Sequence, residues 1–109
     1  MLAIHLLGKG IAKVAKITKR TEEIILRKLP GIDDNCLFEI GSPFLARISL
    51  CGCVKITDLG IMSIIKNNRN LKSVDISWLH LLTDRSVIEI AKTLGPKLVS
   101  YIFNIQYSI

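Results

Sequence analysis

Two cysteines one residue apart, Cys51-Gly52-Cys53, are the residues of this 109-residue chain that most invite a chemical reading. With Cys36 and His80 they supply three thiols and an imidazole, a donor set that suits zinc. Their spacing points elsewhere. A zinc loop usually places about two to four residues between paired cysteines and adds a second pair, and this chain does neither. Cys53 is expected in the core, because free cysteine is among the most buried residue types. Cys51 is expected to be an exposed thiol, a small residue on a binding face. The adjacent Asp33 and Asp34 could serve acid/base chemistry, but Asp34 stands where it is expected to cap a helix. There is no phosphate-cradling glycine loop and no nucleophile elbow. Neither His5 nor His80 lies near a serine or cysteine with an acid. The expectation is a non-enzymatic protein with no cofactor and no metal.

Length and composition agree with one compact domain. Half the residues are hydrophobic, enough for a single core. No apolar run approaches the roughly 20 residues of a membrane-spanning helix. The net charge of +6 is concentrated at the start: residues 1–20 hold Lys9, Lys13, Lys16, Lys19 and Arg20 with no acid. The remaining ten basic and nine acidic side chains nearly cancel, which argues against a nucleic-acid surface on the body of the domain. Three cysteines without a secretory signal suggest a reducing compartment, cytoplasmic or nuclear.

The elements that position the cysteines emerge from an internal period. Counting from Leu45, apolar side chains fall at offsets 0, 3, 5, 8, 11, 16 and 19: Leu45, Ile48, Leu50, Cys53, Ile56, Ile61 and Ile64. The same offsets from Leu71 give Leu71, Val74, Ile76, Leu79, Leu82, Val87 and Ile90. From Thr21 they give Thr21, Ile24, Leu26, Leu29, Ile32, Leu37 and Ile40. From Leu98 they give Leu98, Tyr101, Phe103, Gln106 and Ile109. The units are 24, 26 and 27 residues long. Within each, offsets 3 and 5 alternate as in a strand, and the later positions follow a helical period. Asp34, Asp58 and Asp84 stand where they are expected to cap the three helices. Gly41-Ser42-Pro43, Asn67-Asn68 and Gly95-Pro96 are expected to end them. The expected fold is α/β: a short solenoid of strand-turn-helix units with a concave parallel sheet and convex helices. Its repeats span about 21–44, 45–70 and 71–97, with a terminal half-repeat at 98–109.

These residues resemble cysteine-containing leucine-rich repeats. "LARISLCGCVKITDLGIMSI" follows that pattern with Cys53 in the cysteine slot, and "LKSVDISWLHLLTDRSVIEIA" follows it with Leu79 there. The resemblance covers about residues 21–109. It implies the substrate-recognition repeats of ubiquitin ligases of the SCF type or the related antagonist-of-mitotic-exit-network proteins. The twenty residues before the first repeat leave no room for an F-box, so a fragment or a free-standing member is expected. "LCGC" and "IDDNCL" also resemble elements of the mitochondrial coupling factor B group, but here they occur in successive units. That second resemblance implies an accessory subunit docked on ATP synthase at the inner mitochondrial membrane.

On either resemblance the partner is a protein, ubiquitin-ligase components in one case and ATP synthase subunits in the other. The surface expected to meet it is the concave face, whose side chains are free of core duties. Its positions are Glu23, Ile25 and Arg27; Arg47, Ser49 and Cys51; Ser73, Asp75 and Ser77; and Ser100, Ile102 and Asn104. Trp78, the sole tryptophan, follows at the rim and is the best single anchor candidate. The basic segment 1–20 places Leu7, Ile11, Val14 and Ala15 on one helical face. It is read as a capping helix, a mitochondrial address or a membrane-surface helix. "YIFNIQYSI" is expected to form an open edge strand, which implies a truncated array or a covering partner.

Overall fold

The computed structural model describes residues 20–95, together with the backbone of strand β1, Ala3–Leu7. Three further strands and three helices alternate after β1. They are β2 Glu23–Arg27, α1 Asp34–Phe38, β3 Arg47–Ser49, α2 Asp58–Asn67, β4 Ser73–Asp75 and α3 Asp84–Leu94. The strands lie in sequence order in one parallel sheet. Parallel neighbours need a long crossover, and α1 and α2 supply it between successive strands of the β2 to β4 segment. The fold is a small α/β domain.

The sheet register follows the sequence period. Ile24 pairs with Ile48 and Ile48 with Val74, so equivalent offsets of adjacent units lie side by side. One cluster joins the inward strand residues Ile24, Leu26, Ile48, Leu50, Val74 and Ile76 to Leu37, Ile61, Ile64 and Ile90 of the helices. Burying each such side chain contributes about 1.5–3 kcal/mol. The opposite face of the strands, with Glu23, Ile25, Arg47, Ser49 and Asp75, is only half-buried. Of the apolar positions at the recurring offsets among the described residues, Val87 alone is not buried.

Several local expectations need correction. The caps fall one residue earlier than predicted: Asp33 accepts from the Cys36 N–H at 3.2 Å, Thr57 from Leu59 N–H and Thr83 from Arg85 N–H. A hydroxyl or carboxylate at N-cap reaches the N2 or N3 amide, which leaves the next residue inside the helix. Helix α1 ends at Phe38, short of Gly41, while α2 and α3 stop at Asn67 and Leu94 as the Asn and Gly-Pro signals imply. Leu7, assigned to a helical face, instead ends β1, whose pairing with Leu6 to Leu26 and Leu7 to Arg27 gives it ladder hydrogen bonds in place of a helix. The remaining helical positions Ile11, Val14 and Ala15, and the terminal strand 98–109, lie outside the described residues.

Candidate functional site

The turn that leaves each strand is the first determinant of the site. Lys28, Gly52 and Trp78 occupy the same offset in three units, and each has positive φ, 54°, 75° and 64°. Around Gly52 the Cys53 N–H donates to Leu50 carbonyl at 3.0 Å, the closure of a four-residue turn whose third residue takes the left-handed region. Glycine adopts it freely, whereas a residue with a side chain incurs roughly 1–2 kcal/mol there. Trp78 is held at that position and is 54% exposed.

Successive turns are tied to one another. The Lys28 N–H donates to the Cys51 carbonyl at 2.9 Å and the Gly52 N–H donates to the Ser77 carbonyl at 3.0 Å. Cys51 thus sits in the middle turn between two bonded neighbours, and its side chain reaches only one atom past Cβ. It is buried, 7% exposed, which overturns the expectation of an exposed thiol. Cys53 is fully buried and donates to the Leu26 carbonyl at 3.4 Å, in the core role expected of it. Burial pushes the Cys53 thiol up, only partly opposed by backbone hydrogen bonding at Leu29 and Lys28. Such a thiol stays protonated and unreactive near neutral pH. Cys36 is half-buried and faces the Gly31 carbonyl, and His80 is exposed. Among the described residues no group of three His, Cys, Asp or Glu side chains gathers as a metal site would require.

The sheet face opposite the core carries a set of polar side chains. Arg47 Nε donates to Glu23 Oε2 at 3.1 Å. Asp75 is engaged on both oxygens: Oδ2 accepts from Ser49 Oγ at 3.2 Å, and Oδ1 accepts from Ser77 N–H at 3.0 Å and Ser77 Oγ at 2.6 Å. Ser77, expected at the surface, is buried by this contact, and Ser73 is buried as well. Glu23, Arg47, Ser49 and Asp75 border a shallow depression of about 180 Å³. That is below the roughly 300 Å³ at which small-molecule pockets begin. A larger groove, about 630 Å³, lies between α2 and α3 and ends at Leu94. It shares no lining residue with that depression and mixes Lys66, Arg69 and Arg85 with Glu89. Of the predicted binding residues, Arg27, Arg47, Ser49 and Asp75 border the shallow depression and Trp78 is exposed in the turn after β4, while Ile102 and Asn104 lie outside the described residues.

The helix side holds a network that the sequence reading missed. Asp34 accepts from Thr57 N–H at 2.9 Å and from Thr57 Oγ1. Asp58 does the same one unit later, from Thr83 N–H at 3.0 Å and Thr83 Oγ1 at 2.6 Å, and also accepts from the buried Ser86 hydroxyl. Each threonine therefore caps its own helix through a lone pair while its O–H is donated to the preceding unit. Desolvation alone would raise the Asp58 carboxyl, but hydrogen bonds from Ser86 and Thr83 and the nearby Arg85 charge outweigh it and hold it below its usual value. Asn68 serves similarly at the other helix end. Its amide donates to Ile40 and Ile64 carbonyls at 3.0 and 2.9 Å, and its oxygen accepts from Ser42 N–H at 2.9 Å. The recurring Thr-Asp pair was the available signal, but its partners are 23–28 residues apart and emerge only when units are stacked.

No described helix is long and apolar enough to cross a membrane. No family model matches the sequence, and no curated protein matches it.

Proposed function

We propose that the chain is a short leucine-rich-repeat solenoid that acts as a non-enzymatic protein-binding module, as the substrate-recognition repeats of SCF-type ubiquitin ligases do. The observation that carries this reading is Trp78: a large aromatic side chain, half exposed, kept at a backbone position where glycine would be free of strain. The recurring turn fixes that backbone at Lys28 and Gly52 as well, so what marks Trp78 is a large exposed aromatic where glycine would suffice, and aromatic anchors dominate interface energetics. Arg47, half-exposed on the sheet face and paired with Glu23, is the second anchor.

The alternative, an accessory subunit of ATP synthase with the basic segment as its mitochondrial address, rests on resemblance alone. Cleavage of that address would remove β1 and bare the edge of β2.

Affinity purification of the tagged full chain with mass spectrometry tests the reading. Ubiquitin-ligase components or their substrates retained by the natural chain, and lost from Trp78→Ala and Arg47→Ala, are the expected result. ATP synthase subunits in their place support the alternative. A verified partner whose affinity neither substitution changes overturns the concave-face reading.

A further inference from the structure

The turns that carry Trp78 form a polarised surface of their own. Segments 27–31, 51–55 and 77–81 contain Arg27, Lys28, Lys55 and His80 and no carboxylate. The acids nearest in the fold are engaged elsewhere: Glu23 with Arg47, Asp33 at its cap, Asp34 and Asp58 with threonines, and Asp75 with serines. Arg27, Lys28 and Lys55 are exposed and have no ion pair or side-chain hydrogen bond among the described residues. At the other end of the row, Trp78 and Leu81 are 54% and 53% exposed, with Val54 at 41% between the ends. Gly52, in the middle turn, lets Lys28 pack close against the backbone. A Cβ there would lie 3.1 Å from Lys28 Cγ, on a backbone of φ 75°.

We infer that this row of turns binds an extended acidic segment of a protein partner, one whose carboxylates meet Arg27, Lys28 and Lys55 and whose bulky apolar residue meets Trp78 and Leu81. The occupant follows from charge complementarity: cations without a side-chain partner among the described residues on the first two turns, exposed apolar side chains on the third, and no carboxylate within the three segments. The outer two of three adjacent strands are about 10 Å apart, which is roughly three residues of extended chain. The recognised pattern is therefore one or two acidic residues followed about three positions later by a leucine or aromatic residue. This inference rests on the protein-binding reading and adds the chemistry of the partner.

Because Trp78 is the only tryptophan, its emission reports the site directly. The full chain is titrated with a nine-residue peptide carrying two glutamates three positions ahead of a leucine, and with its glutamine counterpart. The expected result is a saturable blue shift with the glutamate peptide. Its affinity should fall at least tenfold for the glutamine peptide and for the Arg27→Glu/Lys28→Glu/Lys55→Glu variant, and should weaken as salt rises. Unfolding of the variant is monitored in parallel, and its exposed sites should leave the midpoint unchanged. Equal response to both peptides overturns the inference, as does no saturable response below about 1 mM. A response to phosphatidylserine vesicles but to neither peptide also overturns it and makes the row a membrane contact. A verified protein partner that needs Trp78 and Arg47 but is indifferent to the triple charge reversal removes this inference and leaves the protein-binding reading in place.

Discussion

The helix side and the turn row repeat with the same register, yet they treat their side chains in opposite ways. On the helix side, Asp34 and Asp58 face Thr57 and Thr83 in matching geometry, and each engages both a hydroxyl and an amide of the next unit. In the turn row the backbone repeats, with positive φ at Lys28, Gly52 and Trp78, but the side chains share nothing. Where units must meet each other, residue identity is held by hydrogen bonding. Where they face outward, only the backbone path is fixed, and the side chain is available for something outside the fold.

Breaking the helix side should produce the largest effect. Gly60 lies on α2 against α1, and a Cβ there would stand 2.3 Å from Asp34 Oδ1 and 2.9 Å from Leu37 Cδ1. Alanine normally favours a helix interior by about 1 kcal/mol over glycine. Here Gly60→Ala should instead destabilise by about 2–3 kcal/mol, because it displaces the Asp34 carboxylate that receives Thr57. Urea unfolding checks this, and a stabilised alanine variant would show that α1 and α2 do not approach so closely.

Asp58 provides a smaller effect with a definite pH sign. Asp58→Ala leaves the fully buried Ser86 hydroxyl without its acceptor and should cost about 2 kcal/mol, the penalty for an orphaned buried donor, reduced by the partial exposure of the carboxylate. Its carboxyl is held below the ordinary value, so its contribution is complete above the unfolded pKa of about 3.9 and is lost as pH falls through the lower folded value. Unfolding midpoints measured between about pH 3 and pH 7 should therefore converge for the natural chain and Asp58→Ala toward the acid end. A constant gap across that range would mean that the carboxylate charge plays no part.

What could be read from residue types alone follows the same division. The buried positions were legible because apolar side chains recur at fixed offsets, and Ile24, Ile48 and Val74 fall into register as that period requires. Cys53 was legible for the same reason, since its offset is shared with Leu29 and Leu79. The role of Asp58 was not, because its acceptors face a unit 25 residues on and local reasoning assigns an aspartate before a helix to its cap. Cys51 was misplaced because strand alternation was carried one residue too far, into a turn bonded on both sides. The positive φ of Trp78 was concealed because tryptophan and lysine are not turn residues. Gly52 at the equivalent offset was the only local sign of it.

The smallest expected effect isolates the turn row. Trp78→Ala and Trp78→Gly remove the same indole, but only glycine relieves the positive φ. The most direct measurement is therefore the urea unfolding free energy of these two variants, taken beside their retention of a partner verified with the natural chain. Both variants should lose the partner, and the glycine variant should be more stable than the alanine variant by about 1 kcal/mol, the reverse of their usual order. A glycine variant no more stable than the alanine variant, with the partner retained by both, would contradict that expectation.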